Sequence, residues 1–417
     1  MSSNQQLQRY QRFIPLAISA LSIVIGLVVL EILARFSLPG RASARAPIQS
    51  PLTEYDPIYG WRLQRGAAEK SGVQFDQTLT YRTNASGRRG DIARESASSD
   101  NFRIVIFGET SGFGLGVEER ELFFQQIYDY LRPGVIGSEL ELINASVPNY
   151  GLDQYALLLE YESERLKPNL GIILLPTYLI YPLAYPAHRM YDPKTITDFA
   201  KPYFILSSTS GAPELMLKNS PTPEVITAEL YDRWVSERQP PTLLDRLSKG
   251  LRIAQYLKDS LRNTNTEYYF GQAEIFPPYS TNSSELAVFT QLIYRLKSQL
   301  RKVGASEMFI ILPVPENFTV RSSYPVAHQT ISRICREGLL NCIDLLQEFG
   351  RTGGAKLYFE GESVLNREGH QVLANEIKVR LRNLLQTVNT RRTTKAATGV
   401  SPEAQKEQLL EMLKDSP

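Results

Sequence analysis

The sequence predicts an α/β fold: a parallel sheet in three α/β/α layers, preceded by one N-terminal transmembrane helix. Three observations predict it. From residue 101 onward, short, continuously apolar, β-branched runs alternate with amphipathic stretches, the pattern of parallel strands buried on both faces. An almost uninterrupted apolar segment, Phe13–Phe36, stands ahead of them. The chain of 417 residues, 42% hydrophobic and 22% charged, carries enough apolar material for a sizeable core.

Residues 1–12 are expected to form a short cytoplasmic segment and 13–36 the membrane helix. The uncharged run Phe13–Leu30 has 18 residues, about 27 Å of helix and close to the hydrocarbon thickness of a bilayer. Glu31 and Arg35 are one turn apart at its far end, where they can pair and reach the interface. The other reading is a cleaved signal peptide, with Ala42–Ala44 as the cleavage site. The length of the run and the distance to that site favour an uncleaved anchor. With Arg9 and Arg12 before the helix and Arg35, Arg41 and Arg45 after it, the positive-inside count does not decide the orientation. A long downstream domain can translocate whatever the flanking charge, so the expectation is a single-pass protein of the inner (cell) membrane with its main domain extracytoplasmic.

Residues 37–100 read as a stalk followed by a lead-in of short strands, with "YGWRL" and "QTLTYRTN" as its β-type patches. The main domain, 101–386, begins with a strand at 103–108 and a helix near 119–132. Strands at 140–146 and 170–177 follow, with a helix at 152–166 between them. After an interruption at about 182–283 come a helix at 284–303, a strand at 308–314, a helix at 327–337, a strand at 342–346 and a last helix at 367–386. Right-handed crossovers would bring the strand C-terminal ends to one edge, where ligand sites of such sheets lie. The interruption is too long for a plain connection and reads as a cap or insertion, with a helical stretch near 243–262. Residues 387–417 read as a polar tail with a short amphipathic helix near 402–414.

The formal net charge of +2 gives no reason to expect a nucleic-acid partner. The three histidines, His188, His328 and His370, are far apart, and no Cys/His cluster has metal-ligand spacing, so neither a metal nor a cofactor is expected. Cys335 and Cys342 flank a predicted turn at Gly338. They fit a disulfide in an oxidising compartment and equally two buried thiols.

Three motifs fall at strand or helix ends: "GETSGFG" after the first strand, "NASVPNYGLDQ" after the second, and "FEGESVLNREGHQVLANEI" at the last helix. Their order and spacing resemble the SGNH (GDSL-like) hydrolases, and in particular a membrane-anchored branch of bacterial envelopes. In that branch a lead-in such as Tyr55-Asp56-Pro57 and Gly60-Trp61 precedes the domain. The resemblance covers roughly 51–386 and implies a flavodoxin-like three-layer fold. It also implies a chemistry: a serine nucleophile, an oxyanion held by a glycine N–H and an asparagine amide, and a histidine base oriented by an aspartate.

Carried over by position, that chemistry is altered throughout. Gly108-Glu109-Thr110 stands for Gly-Asp-Ser, so threonine holds the nucleophile position. Ser146 stands for the oxyanion glycine, Ile180 for the asparagine, Tyr181 for the following aspartate, and Glu362-Ser363-Val364 for Asp-x-His. The positions that look structural match, among them Gly108, Gly114, Asn144, Ala145, Gly151, Asp153, Gln154, Asn366, Gly369 and His370. Thr110 can attack in principle, with its methyl crowding the approach, and Ser146 keeps a backbone N–H. Ile180 cannot donate, a loss of about 3–4 kcal/mol of transition-state stabilisation, and Val364 cannot take a proton.

Three substitutes stand open: Ser111 in place of Thr110, Glu109 or Glu362 as base, and His370 reaching the site rather than packing. Glu360 and Glu362 read as a solvated edge rather than a metal site. Tyr181, Tyr185 and Tyr191 are candidates for stacking on sugar faces, against packing of the insertion on the core. The main expectation is a catalytically inactive, membrane-anchored subunit that binds a glycan or protein partner or serves assembly. The alternative is an active esterase or O-acyltransferase with an altered nucleophile and base. For both, the resemblance implies envelope polysaccharide and a membrane-bound O-acyltransferase as partners.

Overall fold

The computed structural model describes residues 18–19, 21–34, 52–70, 79–90, 102–132, 140–180, 183, 187–192, 195–207, 214–218, 247, 251, 253–254, 284–318 and 324–396. Two compact units divide the chain. One comprises residues 1–44 with 227–272, the other residues 45–226 with 273–417.

The larger unit is built on a five-stranded parallel sheet. Its strands are β5 (Phe102–Phe107), β6 (Leu140–Asn144), β7 (Leu170–Pro176), β12 (Ser306–Leu312) and β13 (Cys342–Asp344), in the order β13-β12-β7-β5-β6. Register is continuous across it: Ile104 pairs with Leu142 on one side and Leu170 on the other, and Ile172 pairs with Met308. Because side chains alternate along a strand, each strand feeds two cores. Val105, Phe107, Ile143, Ile173, Leu175, Phe309 and Ile311 join one hydrophobic cluster. Ile104, Ile106, Leu142, Ile172, Leu174, Met308 and Ile310 join the other. Helices α3 (Leu152–Leu166), α4 (Ser284–Lys302) and α5 (Tyr324–Glu337) contribute to the first cluster. Helices α2 (Phe123–Leu131), α6 (Leu346–Thr352) and α7 (Arg367–Ala396) contribute to the second. The three-layer α/β arrangement with a parallel sheet is therefore the one the alternating pattern implies.

Three elements differ from expectation, each for a local reason. The stretch 119–132 is not one helix. A 3-10 turn, Glu119–Glu121, is followed by Leu122 at φ −59°, ψ 136°, and α2 begins only after it. The strand expected at 342–346 stops at Asp344, whose carboxylate accepts the Leu346 N–H at 3.0 Å and turns the chain into α6. Helix α7 continues to Ala396, into what reads as polar tail. Residues 402–414 lie outside the described residues.

The lead-in forms two antiparallel hairpins, β1 (Thr53–Asp56) with β2 (Gly60–Leu63) and β3 (Ala68–Lys70) with β4 (Thr80–Arg82). Trp61 is fully buried. Its indole donates to the Pro148 carbonyl at 3.1 Å, and the Tyr150 hydroxyl donates back to the Trp61 carbonyl at 2.6 Å. The Gln154 amide donates to the Tyr59 carbonyl at 2.7 Å. These bonds fasten the lead-in to the loop after β6. Within the expected insertion, β8 (Ala187–Asp192) pairs with β9 (Thr195–Ala200), and β10 (Tyr203–Ser207) with β11 (Glu214–Lys218). Cys335 and Cys342 are joined in a disulfide between α5 and β13.

In the smaller unit residues 21–34 are helical, and the large apolar side chains from Leu21 to Leu33 stand 49–63% exposed. No helix among the described residues is long and apolar enough to cross a membrane. Ile18 and Ser19 are helical as well, and residues 13–17, 20, 35 and 36 lie outside the described residues.

Candidate functional site

The strand C-terminal ends meet at one edge of the sheet, and the turn after β5 is its centre. Gly108 leads into Glu109 and then into α1 (Thr110–Phe113), a single helical turn. The glycines here answer to close approach. A Cβ on Gly108 would sit 2.7 Å from the Ser146 hydroxyl, and one on Gly112 would be 3.0 Å from the Ser146 Cβ. Glu109 caps the turn by accepting the Ser111 N–H at 2.9 Å, and Gly114, at φ 81°, closes it. Asn144 stitches the turn to β6, its amide donating to the Gly112 carbonyl at 3.0 Å.

A buried arginine holds the turn from below. Arg89 donates to the carbonyls of Phe113 (2.7 Å), Gly114 and Val117 (2.6 Å), and its guanidinium lies 4.8 Å and 4.7 Å from the ring centres of Tyr81 and Phe113. Burial lowers its pKa to about 10.

The hydroxyl at the nucleophile position is engaged by Asn149 and by Glu109. Thr110 Oγ1 donates to Asn149 Oδ1 at 3.2 Å and accepts the Asn149 N–H at 3.1 Å, and Thr110 is only 6% exposed. Asn149 takes φ 63°, a left-handed conformation that asparagine tolerates better than most residues, and this aims its N–H at Thr110. The Ser146 N–H, the oxyanion donor expected from the resemblance, points elsewhere. Asn144 Oδ1 accepts it at 3.0 Å, and Ser146 is fully buried. Asn149 was thus missed by the sequence reading, as were Tyr178 and Arg89. The turn-forming "PNY" was the one available signal for Asn149.

Glu109 lies beside both hydroxyls. Burial raises its carboxyl above the ordinary carboxylate range, against hydrogen bonds from Tyr178, Ser111 and Thr110 that act the other way. Ser111 is buried under the same turn. At the end of β7, Leu179 and Ile180 are fully buried apolar side chains. On the loop before α7, Val364 is buried and Glu362 half-buried, its carboxyl raised by desolvation. Tyr181 and Tyr185 lie outside the described residues, and Tyr191 is on β8. Among the described residues no three His, Cys, Asp or Glu side chains group as metal ligands.

His370 packs rather than faces Thr110's partners. It is fully buried, its ring stacks on Phe123 at 5.9 Å, and its Nδ1 accepts the Phe123 N–H at 3.4 Å. Burial first, and Arg89 second, lower its pKa from 6.5 to about 3. Folded, the ring stays neutral to about pH 3, whereas the unfolded imidazole protonates near 6.5. Its contribution to stability is thus full above pH 6.5 and is lost as pH falls from there toward 3, at up to about 1.4 kcal/mol per pH unit. Denaturant unfolding of wild type and His370→Gln across this range is expected to show a shallower acid slope in the variant. Equal slopes would contradict the buried neutral ring.

No family model matches the chain, and no curated protein is similar to it. Among solved structures it is similar to TesA (11% identity, TM-score 0.36, covering 67% of this chain and 98% of that one). It is similar to a putative lipolytic protein of the G-D-S-L family from Desulfitobacterium hafniense (10%, TM-score 0.33, 67% and 98%). It is also similar to a catalytic mutant of Axe2, an acetylxylan esterase from Geobacillus stearothermophilus (8%, TM-score 0.36, 67% and 93%). The solved structures that this chain is similar to are thus SGNH/GDSL-like hydrolases.

Proposed function

We propose that this chain is a membrane-anchored, SGNH-hydrolase-like protein that has given up ester chemistry and acts as an extracytoplasmic binding or assembly subunit. The observation that carries the reading is the reciprocal bonding of Thr110 and Asn149. The hydroxyl that would attack is bonded in both directions by one residue. Among the described side chains, neither histidine ring is bonded to Thr110. His370 is stacked on Phe123, His328 is bonded to Asp344 at 2.7 Å, and His188 is on β8. Without a base a neutral hydroxyl is a weak nucleophile. The exposed apolar helix at 21–34 supports the anchor, and the disulfide supports an oxidising compartment. Envelope polysaccharide and a membrane-bound O-acyltransferase are the partners this reading takes from the family resemblance.

One observation favours a second reading, an esterase or O-acyltransferase with a reduced dyad. Glu109 is a buried carboxyl of raised pKa beside two hydroxyls, and such a group is closer to the range of a general base.

The test is hydrolysis of short acyl esters and of an acetylated glycan by the full chain in detergent. Wild type is expected to be silent, and a Thr110→Ser/Ile180→Asn/Val364→His variant to gain activity. Turnover by wild type that Thr110→Ala or Glu109→Gln abolishes would overturn the inactive reading in favour of the dyad.

A further inference from the structure

The turn between α5 and β13 lies at the strand N-terminal ends, the edge of the sheet opposite the candidate site. It is a complete helix stop. The Leu340 N–H donates to the Cys335 carbonyl at 3.0 Å and the Leu339 N–H to the Arg336 carbonyl at 3.2 Å. This places Leu339 at the left-handed position of the motif, with φ 47°. Glycine is the usual residue there, because a side chain at positive φ is strained. The chain has its glycine one residue earlier, where packing requires it: a Cβ on Gly338 would lie 2.7 Å from the Tyr294 ring. Packing does not account for Leu339, which is 85% exposed. A lone exposed leucine is ordinary. This one costs the free protein twice, in backbone conformation and in apolar surface left in water, and glycine would remove both costs.

The turn is also held rigid. Lys297 Nζ, on α4, donates to the carbonyls of Gly338 at 3.0 Å and Leu339 at 2.9 Å, and the Cys335–Cys342 disulfide closes the turn at its base. Helices α4 and α5 both end at this edge. Their last turns expose Arg301, Lys302 and Arg336 against the single exposed carboxylate of Glu337, and helix C-termini favour such cations. Leu339 is thus an apolar knob on a convex turn with a cationic collar. Two copies meeting on it would set like charges against each other. A surface that is anionic outside and apolar just beneath complements it, and a phospholipid leaflet is such a surface.

We propose that this turn is a membrane contact. Leu339 enters the headgroup boundary of a bilayer, and Lys302 and Arg336 bind anionic phospholipid. The proposal rests on the reading of Phe13–Phe36 as an anchor, because one leucine and a few cations suffice for a chain that is already kept at the membrane.

The test uses the full chain in vesicles of phosphatidylcholine with and without phosphatidylglycerol, with nitroxide lipids of known depth as quenchers. A dansyl amino acid introduced by codon suppression in place of Leu27, Glu337 or Glu360 reports depth and leaves the disulfide untouched. Glu337 is exposed beside the turn, and Glu360 is exposed on the loop before α7, at the other edge of the sheet. Shallow nitroxides are expected to quench the 337 label and deep ones the 27 label, with the 360 label unquenched. In the chain labelled at 337, Leu339→Gly is expected to lower the ratio of bound to free turn about tenfold. Each of Lys302→Gln and Arg336→Gln is expected to lower it about fivefold in anionic vesicles. Denaturant unfolding supplies the second readout: Leu339→Gly should be at least as stable as wild type, since glycine takes φ 47° without strain. A leucine needed by the fold would make that variant less stable, and this result would overturn the proposal. An unquenched 337 label beside a quenched 27 label would overturn it too, with the anchor left standing. If neither label is quenched, the anchor fails and the proposal with it; if the 337 label alone is quenched, the contact stands and the anchor fails. Quenching indifferent to phosphatidylglycerol and to both charge deletions would overturn the anionic selectivity.

Discussion

Lys201→Met is expected to lower the unfolding free energy by about 3–5 kcal/mol. Lys201 is fully buried between β9 and β10, where its ammonium donates to the Asp153 carboxylate and, at 3.3 Å, to the Pro202 carbonyl. Asp153 is also fully buried, in the first turn of α3, and its other oxygen accepts the Gln154 N–H at 3.0 Å. Removing the cation leaves a carboxylate with neither water nor a partner of opposite charge. Replacing both residues, as Lys201→Met/Asp153→Leu, removes the charge that has to be solvated and is expected to recover most of the loss. Denaturant titration of the full chain in detergent checks both. A loss below about 1 kcal/mol for the single variant is what an exposed pair would give, and would contradict the buried geometry.

Arg89→Met is expected to cost a similar amount, about 3–5 kcal/mol, because buried carbonyls that lose their donors cost about 1–3 kcal/mol each. Methionine keeps an apolar stem between Tyr81 and Phe113 but offers nothing to the carbonyls of Phe113, Gly114 and Val117. Lysine keeps the charge without the planar fork, so Arg89→Lys should recover only part of the loss. The effect should extend to the candidate site, since these carbonyls belong to the turn that begins at Thr110. Unfolding within about 0.5 kcal/mol of wild type would show that Arg89 is not the support of that turn.

The sheet was legible because its strands are buried on both faces, so their sequences are apolar without interruption, as in "IVIF" and "GIILL". Helix α3 was legible almost to the residue, with Gly151 as its cap and the Gln154 side chain accepting the Gly151 N–H at 2.9 Å. Leu122 was not, since its extended backbone lies inside a continuous amphipathic pattern. The site was legible where one strand end makes it, as at Gly108-Glu109-Thr110. It was not legible where partners converge from elsewhere. Asn149 matters through one left-handed dihedral, Tyr178 through a hydroxyl reaching Glu109, and Arg89 through three carbonyls in a segment it precedes by more than twenty residues. None of these leaves a period or a spacing in the chain.

Strands β7 and β12 are hydrogen-bonded neighbours from Leu170–Ser306 to Pro176–Leu312, yet the chain leaves one and returns to the other only after its longest excursion. At equilibrium that detour costs little, since each doubling of a loop adds only about 0.6 kcal/mol of closure entropy. Its consequence is in time. The ladder β6-β5-β7 can assemble from residues close in sequence, while β12 must await a distant pairing. Until it does, β7 presents an unpaired edge of seven residues that are all buried in the folded protein, Leu170–Pro176. The newly made protein is therefore most exposed to self-association at this strand, in the interval before its second half arrives.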